Sequence, residues 1–134
     1  MDLLARREHS RRELQTKLAQ RDFPAEEITV ALDRLEEDGL LSDQRFAEAY
    51  ARQRVGKGYG PLRIRQELRQ RGVDDSLIAE TMAPWSGQWL EVAAAQHDKH
   101  FGQQPQDQRE RARQSRYLQN RGFDFDVIRE VISD

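Results

Sequence analysis

Gly56-Lys57-Gly58-Tyr59-Gly60-Pro61-Leu62-Arg63-Ile64-Arg65-Gln66-Glu67-Leu68-Arg69-Gln70-Arg71-Gly72-Val73 is the stretch from which the rest of the chain can be read. It opens as a glycine-rich turn. Pro61, with its fixed φ and missing N–H, suits the first turn of a helix. Leu62, Ile64 or Arg65, and Leu68 follow at helical spacing. Gly72 stands where a helix ends in the left-handed conformation that glycine adopts without steric cost. The stretch predicts turn, helix, stop. It is also basic: Arg52, Arg54, Lys57, Arg63, Arg65, Arg69 and Arg71 face one acid, Glu67.

The same unit recurs along the chain. Leu68-Arg69-Gln70-Arg71-Gly72-Val73 aligns with Leu118-Gln119-Asn120-Arg121-Gly122-Phe123, an offset of fifty residues (118 − 68). A step back by the same offset finds Leu18-Ala19-Gln20-Arg21-Asp22-Phe23. The phase continues through Ile28, Ile78 and Ile128, then Leu32, Met82 and Ile132. Self-similarity at this period signals a repeat architecture. Asp22 takes the place of the two later glycines, so its turn is expected to be the most strained of the three.

Composition narrows the class. The chain has 134 residues, 34% of them charged, with a net charge of −2. Any core is therefore divided or thin, and the balance is not that of a simple nucleic-acid binder. There is no cysteine, which excludes disulfides and thiolate chemistry. No apolar run approaches the roughly 20 residues that span a bilayer, and the first residues lack the apolar stretch of a signal peptide. A cytoplasmic protein without membrane association is expected.

Helix signals follow in order. Ser10-Arg11-Arg12-Glu13 reads as a capping box ahead of a helix with Leu14 and Leu18 inward; residues 3–8 read as the stub of an earlier helix. Pro24 begins a second helix with Ile28, Ala31, Leu32 and Leu35 on one face, stopped by Gly39. Ser42 caps a third, carrying Phe46, Ala49, Tyr50 and Gln53. After the helix over 61–71, Asp74 caps one that buries Leu77, Ile78 and Met82. Ser86 is expected to cap the next, through Trp89, Val92, Ala93 and Gln96. Helices from about Gln106 to Arg121 and from Asp124 to Ile132 complete the chain. No segment alternates with period two, so no strands are expected. The expected fold is all-α, an elongated curved array of tandem three-helix repeats. Repeat one covers 1–57 with the N-terminal stub, repeat two 58–103, and repeat three, with two helices, 104–134.

The charges are sorted by helix. First helices are basic, with Arg6, Arg7, Arg11, Arg12, Lys17 and Arg21 in one and Arg109, Arg111, Arg113, Arg116 and Arg121 in the last. Second helices are acidic, from Glu26 and Glu27 through Asp33, Glu36, Glu37 and Asp38 to Asp124, Asp126 and Glu130. Internal ion pairing on solvated faces explains such sorting; so does a basic track that engages a polyanion or an acidic partner. Tyr59, between two glycines, either stacks on a base or packs over the helix start. The glycines lack the strand and the Lys-Ser/Thr of a nucleotide loop. Trp85 and Trp89 read as core, with an interaction site as the alternative. His97 and His100 lack a third metal ligand and read as solvated residues near a helix end. No nucleophile motif is present, so neither enzymatic activity nor a cofactor or metal is expected.

Lys57-Gly58-Tyr59-Gly60-Pro61-Leu62-Arg63-Ile64-Arg65-Gln66-Glu67-Leu68 resembles the signature of the bacterial regulatory protein RecX family. So do Asp38-Gly39-Leu40-Leu41-Ser42-Asp43-Gln44-Arg45-Phe46-Ala47 and Tyr117-Leu118-Gln119-Asn120-Arg121-Gly122-Phe123. Family members usually carry more helix ahead of Ser10, where this chain is short. The resemblance implies a modulator of the RecA recombinase, expected to be a monomer. It implies binding to the RecA–DNA filament along its groove, inhibition of its ATPase, strand-exchange and coprotease activities, and weak binding to single-stranded or duplex DNA. The contact surface expected on this reading is Arg52, Arg54, Lys57, Tyr59, Arg63, Arg65, Arg69 and Arg71. The alternatives are a stand-alone helical DNA-binding module and a helical-repeat adaptor for another assembly.

Overall fold

A computed structural model describes residues 7–132 of the chain. Most of the helical stub expected over residues 3–8 lies outside the described residues; residues 7–10 are not helical. Eight α-helices and no strand occur among the described residues: α1 (Arg11–Gln20), α2 (Ala25–Glu37), α3 (Asp43–Gly56), α4 (Pro61–Gln70), α5 (Asp75–Met82), α6 (Trp89–His100), α7 (Gln108–Arg121) and α8 (Phe125–Val131). A 3₁₀ turn, Ala83–Trp85, follows α5 where Pro84 forbids further α-helix.

The period of fifty is written into the main chain. α1, α4 and α7 end in one turn, in which an N–H just past the helix bonds the carbonyl five residues back: Phe23 to Leu18 at 3.3 Å, Val73 to Leu68 at 3.1 Å, Phe123 to Leu118 at 3.2 Å. The residue before each donor bonds three back, Asp22 to Ala19, Gly72 to Arg69 and Gly122 to Gln119. This paired pattern needs a left-handed residue at the turn. Gly72 and Gly122 have φ of 86° and 104°, and Asp22, at 65°, is the one non-glycine residue with positive φ among the described residues.

The caps follow the sequence signals with one exception. Ser10 and Glu13 form a reciprocal capping box; Asp74 and Asp124 accept from the main chain of Leu77 and Val127. Ser86 does not cap α6. It ends the 3₁₀ turn, and Gln88 precedes the helix without a side-chain cap bond. α7 starts at Gln108 behind Asp107, which accepts from Glu110 N–H at 2.8 Å.

The chain forms two compact units. The first runs up to Tyr50 and takes in Leu68–Thr81. α1 packs on α2 there, with Leu14, Ile28, Leu32 and Leu41 buried together and Leu18 and Leu35 against them. The second comprises Ala51–Glu67 and the residues from Met82 on. In it α6, α7 and α8 bury Ala93, Leu118, Phe123, Ile128, Val131 and Ile132, with Trp89 and Val92 packed alongside. Each fully buried Leu or Ile contributes about 1.5–3 kcal/mol of transfer free energy. Trp89 thus joins the core by one face, and Trp85 lies half-buried against it with ring centroids 6.2 Å apart.

Some inward assignments change. Ala31, Gln53 and Leu62 are exposed. On α3 the buried positions are Phe46, Ala47 and Ala51, with Ala49 and Tyr50 half-buried. On α4, Ile64 and Leu68 are the fully enclosed pair. Ala47 and Ala51 carry little apolar weight in a sequence pattern, yet both are fully buried.

One docking contact occurs in each unit at the same repeat position. In the first, Ser10 donates its hydroxyl to the Arg71 carbonyl at 2.7 Å; in the second, Gly60 donates its N–H to the Arg121 carbonyl at 2.7 Å. Ser10 and Gly60 are fifty residues apart, as are Arg71 and Arg121. The start of one first helix therefore rests on the end of the next.

Candidate basic interaction surface

α3 ends with the same paired turn as α1, α4 and α7. Tyr59 N–H bonds the Arg54 carbonyl at 3.1 Å and Gly58 N–H bonds the Val55 carbonyl at 2.9 Å, with Gly58 at φ 84°. In this motif the residue after the left-handed glycine meets the side chain five positions earlier. Here that pair is Tyr59 and Arg54, whose guanidinium carbon sits 3.8 Å from the ring centroid. Arg121 reaches the same ring at 3.8 Å and Arg63 at 4.6 Å.

Each guanidinium is also held by hydrogen bonds. Arg54 grips Glu67 through two bonds of 2.9 and 3.0 Å, and Arg63 adds a third to Glu67 at 3.2 Å. Arg63 donates further to the Asn120 carbonyl at 3.1 Å. Arg121 donates to the Gly58 carbonyl at 3.3 Å and also to the Lys57 carbonyl. It thus satisfies two carbonyls of the turn just past α3, at the end where the helix dipole favours a cation. Tyr59, half-buried beneath these groups, fixes the turn; stacking a nucleobase on its ring would first displace a bound guanidinium. The packing alternative for Tyr59 is the one the contacts support.

The expected site residues therefore divide. Arg54, Tyr59 and Arg63 form a fixed knot with Arg121 and Glu67. Arg121, from α7, was counted as basic but not assigned to this group, because 62 residues separate it from Tyr59 (121 − 59). Arg52, Lys57 and Arg65 are exposed and make no ion pair with any described residue. Arg69 and Arg71 fall in the other unit. Arg69 pairs with Asp75 at 2.9 Å, and Arg71 lies 3.9 Å from Glu13 with its guanidinium 4.7 Å over the Tyr50 ring.

His100 is exposed, as the solvated reading expects, whereas His97 is not. His97 is buried, 5% exposed, and bonds Gln114 Oε1 through Nε2 at 2.6 Å; Gln114 in turn donates to the Gln103 carbonyl and to Glu110. His100 stacks on Tyr117 at 3.9 Å. Neither contact was legible, since Gln114 reads as a surface residue in a highly charged helix. Among the described residues no group of three His, Asp or Glu side chains is placed to hold a metal ion, and no helix is long and apolar enough to cross a membrane.

The fold defines an all-helical protein whose helices repeat in tandem. Three family models match in succession: the first three-helix domain of RecX over residues 1–35, the second over 42–82 and the third over 87–132. The second range holds α3–α5 and the third α6–α8. The chain is 50% identical to Regulatory protein RecX of Pseudomonas entomophila (strain L48) over 137 aligned positions, covering 99% of this chain and 86% of that protein. It is 49% identical to Regulatory protein RecX of Halorhodospira halophila (strain DSM 244 / SL1), covering 95% and 80%. A crystal structure of regulatory protein RecX superposes with a TM-score of 0.81 at 26% identity, over 96% of this chain and 65% of that one. RecX from Lactobacillus salivarius gives a TM-score of 0.79 at 22% identity, covering 96% and 86%, a likeness of fold. The chain belongs to the RecX family.

Proposed function

We propose that this chain regulates RecA by binding the RecA–DNA filament and restraining its ATPase, strand-exchange and coprotease activities, and so modulates recombination and repair. It acts by contact rather than catalysis, as a cytoplasmic monomer with no cofactor. Family membership supports the reading. The observation that carries it is the division of the basic group: Arg52, Lys57 and Arg65 are exposed, with no ion pair among the described residues, beside a knot that holds the end of α3 and the Gly58–Gly60 turn in place. Cations without internal partners lose no ion pair on meeting an acidic or phosphate-lined groove. Many such weak contacts on one folded chain add multivalently, which favours a repeating target over a single subunit.

The test is RecA ATPase on single-stranded DNA, titrated with this protein at two salt concentrations. Inhibition that weakens at the higher salt is expected, because exposed charge contacts are screened. Arg52→Glu with Arg65→Glu should lose inhibition while keeping native circular dichroism. Unchanged ATPase at both salts would overturn the reading; tight, salt-steep binding to bare DNA in that case would point to a DNA-binding module acting without RecA.

A further inference from the structure

In the first unit an open groove of about 310 Å³ runs between α1 and the chain at Gln70 and Arg71. Its lining is rich in donors: Arg12, Lys17 and Arg71 as cations, Thr16, Gln20 and Gln70 as neutral groups. Glu13 is the one acid in the lining, and it is already engaged by Arg7 at 3.2 Å, by Arg71 at 3.9 Å and by the Ser10 N–H at 3.1 Å.

Two of the cations make no ion pair among the described residues. Arg12 makes no ion pair with any described residue. Its aliphatic stem lies against the turn at Gly72, where an added β-carbon would fall 2.6 Å from Arg12 Cβ, so the glycine lets the arginine lie along the groove rim. Half-buried Lys17 bonds the Nε2 of His9 at 3.2 Å. His9 is enclosed, 2% exposed, and its Nδ1 faces the Arg7 carbonyl at 3.1 Å. With Nδ1–H donating there, Nε2 accepts from the ammonium and the ring is neutral. Burial, then Arg7 and Lys17, lower the imidazole pKa, against smaller raising effects from the bond to the Arg7 carbonyl and from Glu13. The ammonium therefore rests on a neutral acceptor, with its charge directed to a roomy, donor-lined groove.

We propose that this groove is an oxyanion site for a phosphate group, held by Arg12, Lys17 and Arg71 with Thr16, Gln20 and Gln70 as further donors. A small phosphorylated compound and a nucleic-acid backbone both carry this group, and the chemistry of recognition is shared. The proposal stands apart from the filament reading and needs no RecA in its assay.

The experiment follows the His9 imidazole by NMR in the full chain. Inorganic phosphate, then oligothymidylate, is added to the unmodified protein, to Arg12→Gln and to Lys17→Gln. An anion at Lys17 adds negative charge beside the ring, so saturable shifts and a rise in the His9 pKa are expected. Either substitution should weaken binding about tenfold or more, a change of 1.4 kcal/mol. Arg12→Gln leaves the His9 bonds in place, so it separates loss of the site from loss of local structure. Saturation by the strand, reversed by phosphate, assigns the site to nucleic-acid backbone; saturation by phosphate alone assigns it to small phosphorylated compounds. No saturable shift with either probe, or full affinity in a folded Arg12→Gln protein, would overturn the proposal.

Discussion

Gly122 lies so close to Arg63 that a β-carbon added to the glycine would stand 2.5 Å from Arg63 Cβ and 2.7 Å from its main-chain nitrogen. The glycine is needed twice over, for its φ of 104° and for the space. Gly122→Ala should therefore cost about 2–5 kcal/mol, the left-handed penalty added to that of overpacking. Gly39, with φ 73° and nothing within 4 Å of an added β-carbon, bears only the first penalty, about 1 kcal/mol net. Urea unfolding of the two alanine variants would measure the difference; equal midpoints would deny that the Gly122 turn packs against Arg63.

Asp22 invites the opposite change. It holds a left-handed conformation at 65° where its two counterparts are glycines. Asp22→Gly should raise stability by about 1 kcal/mol, less whatever the glycine adds to unfolded-chain entropy. Thermal melting would register a rise of a few degrees.

Arg63 and Arg65 are two residues apart and should respond differently to reversal of charge. Arg63→Glu would set a carboxylate beside Glu67 and remove the bond to the Asn120 carbonyl. A loss of about 1–3 kcal/mol is expected. Exposed Arg65→Glu should stay within about 0.5 kcal/mol of the parent. Chemical denaturation distinguishes them, and shows which variant is fit for interaction assays.

His9 should make the first unit sensitive to acid. Its folded pKa lies below the ordinary 6.5, chiefly through burial. The unfolded chain thus takes up a proton first as pH falls. Stability from the neutral ring is complete above 6.5, declines below it, and is lost once pH passes the lower folded value. His9→Gln should flatten the fall in stability between pH 7 and the acid limb, as read by urea midpoints across that range.

What the sequence disclosed and what it hid follow from distance along the chain. The three turns at Asp22, Gly72 and Gly122 were legible because a left-handed stop depends on a few adjacent residues. Capping by Ser10, Asp74 and Asp124 was legible for the same reason. Tyr59 was ambiguous because its partners come from three helices, and Arg121 is far away in sequence. His97 and Gln114 are polar and carry no local mark of burial. Ser86 misled because Pro84 draws the chain into a 3₁₀ turn, which moves the helix start beyond reach of the serine hydroxyl.

Trp85 and Trp89 are the chain's two tryptophans, and both belong to the second unit. Indole emission, excited where tyrosine does not absorb, therefore originates in a single half of the protein and reads that half, while backbone dichroism averages the whole. Denaturation curves followed by the two signals carry, without any added dye, a direct comparison of how each part melts.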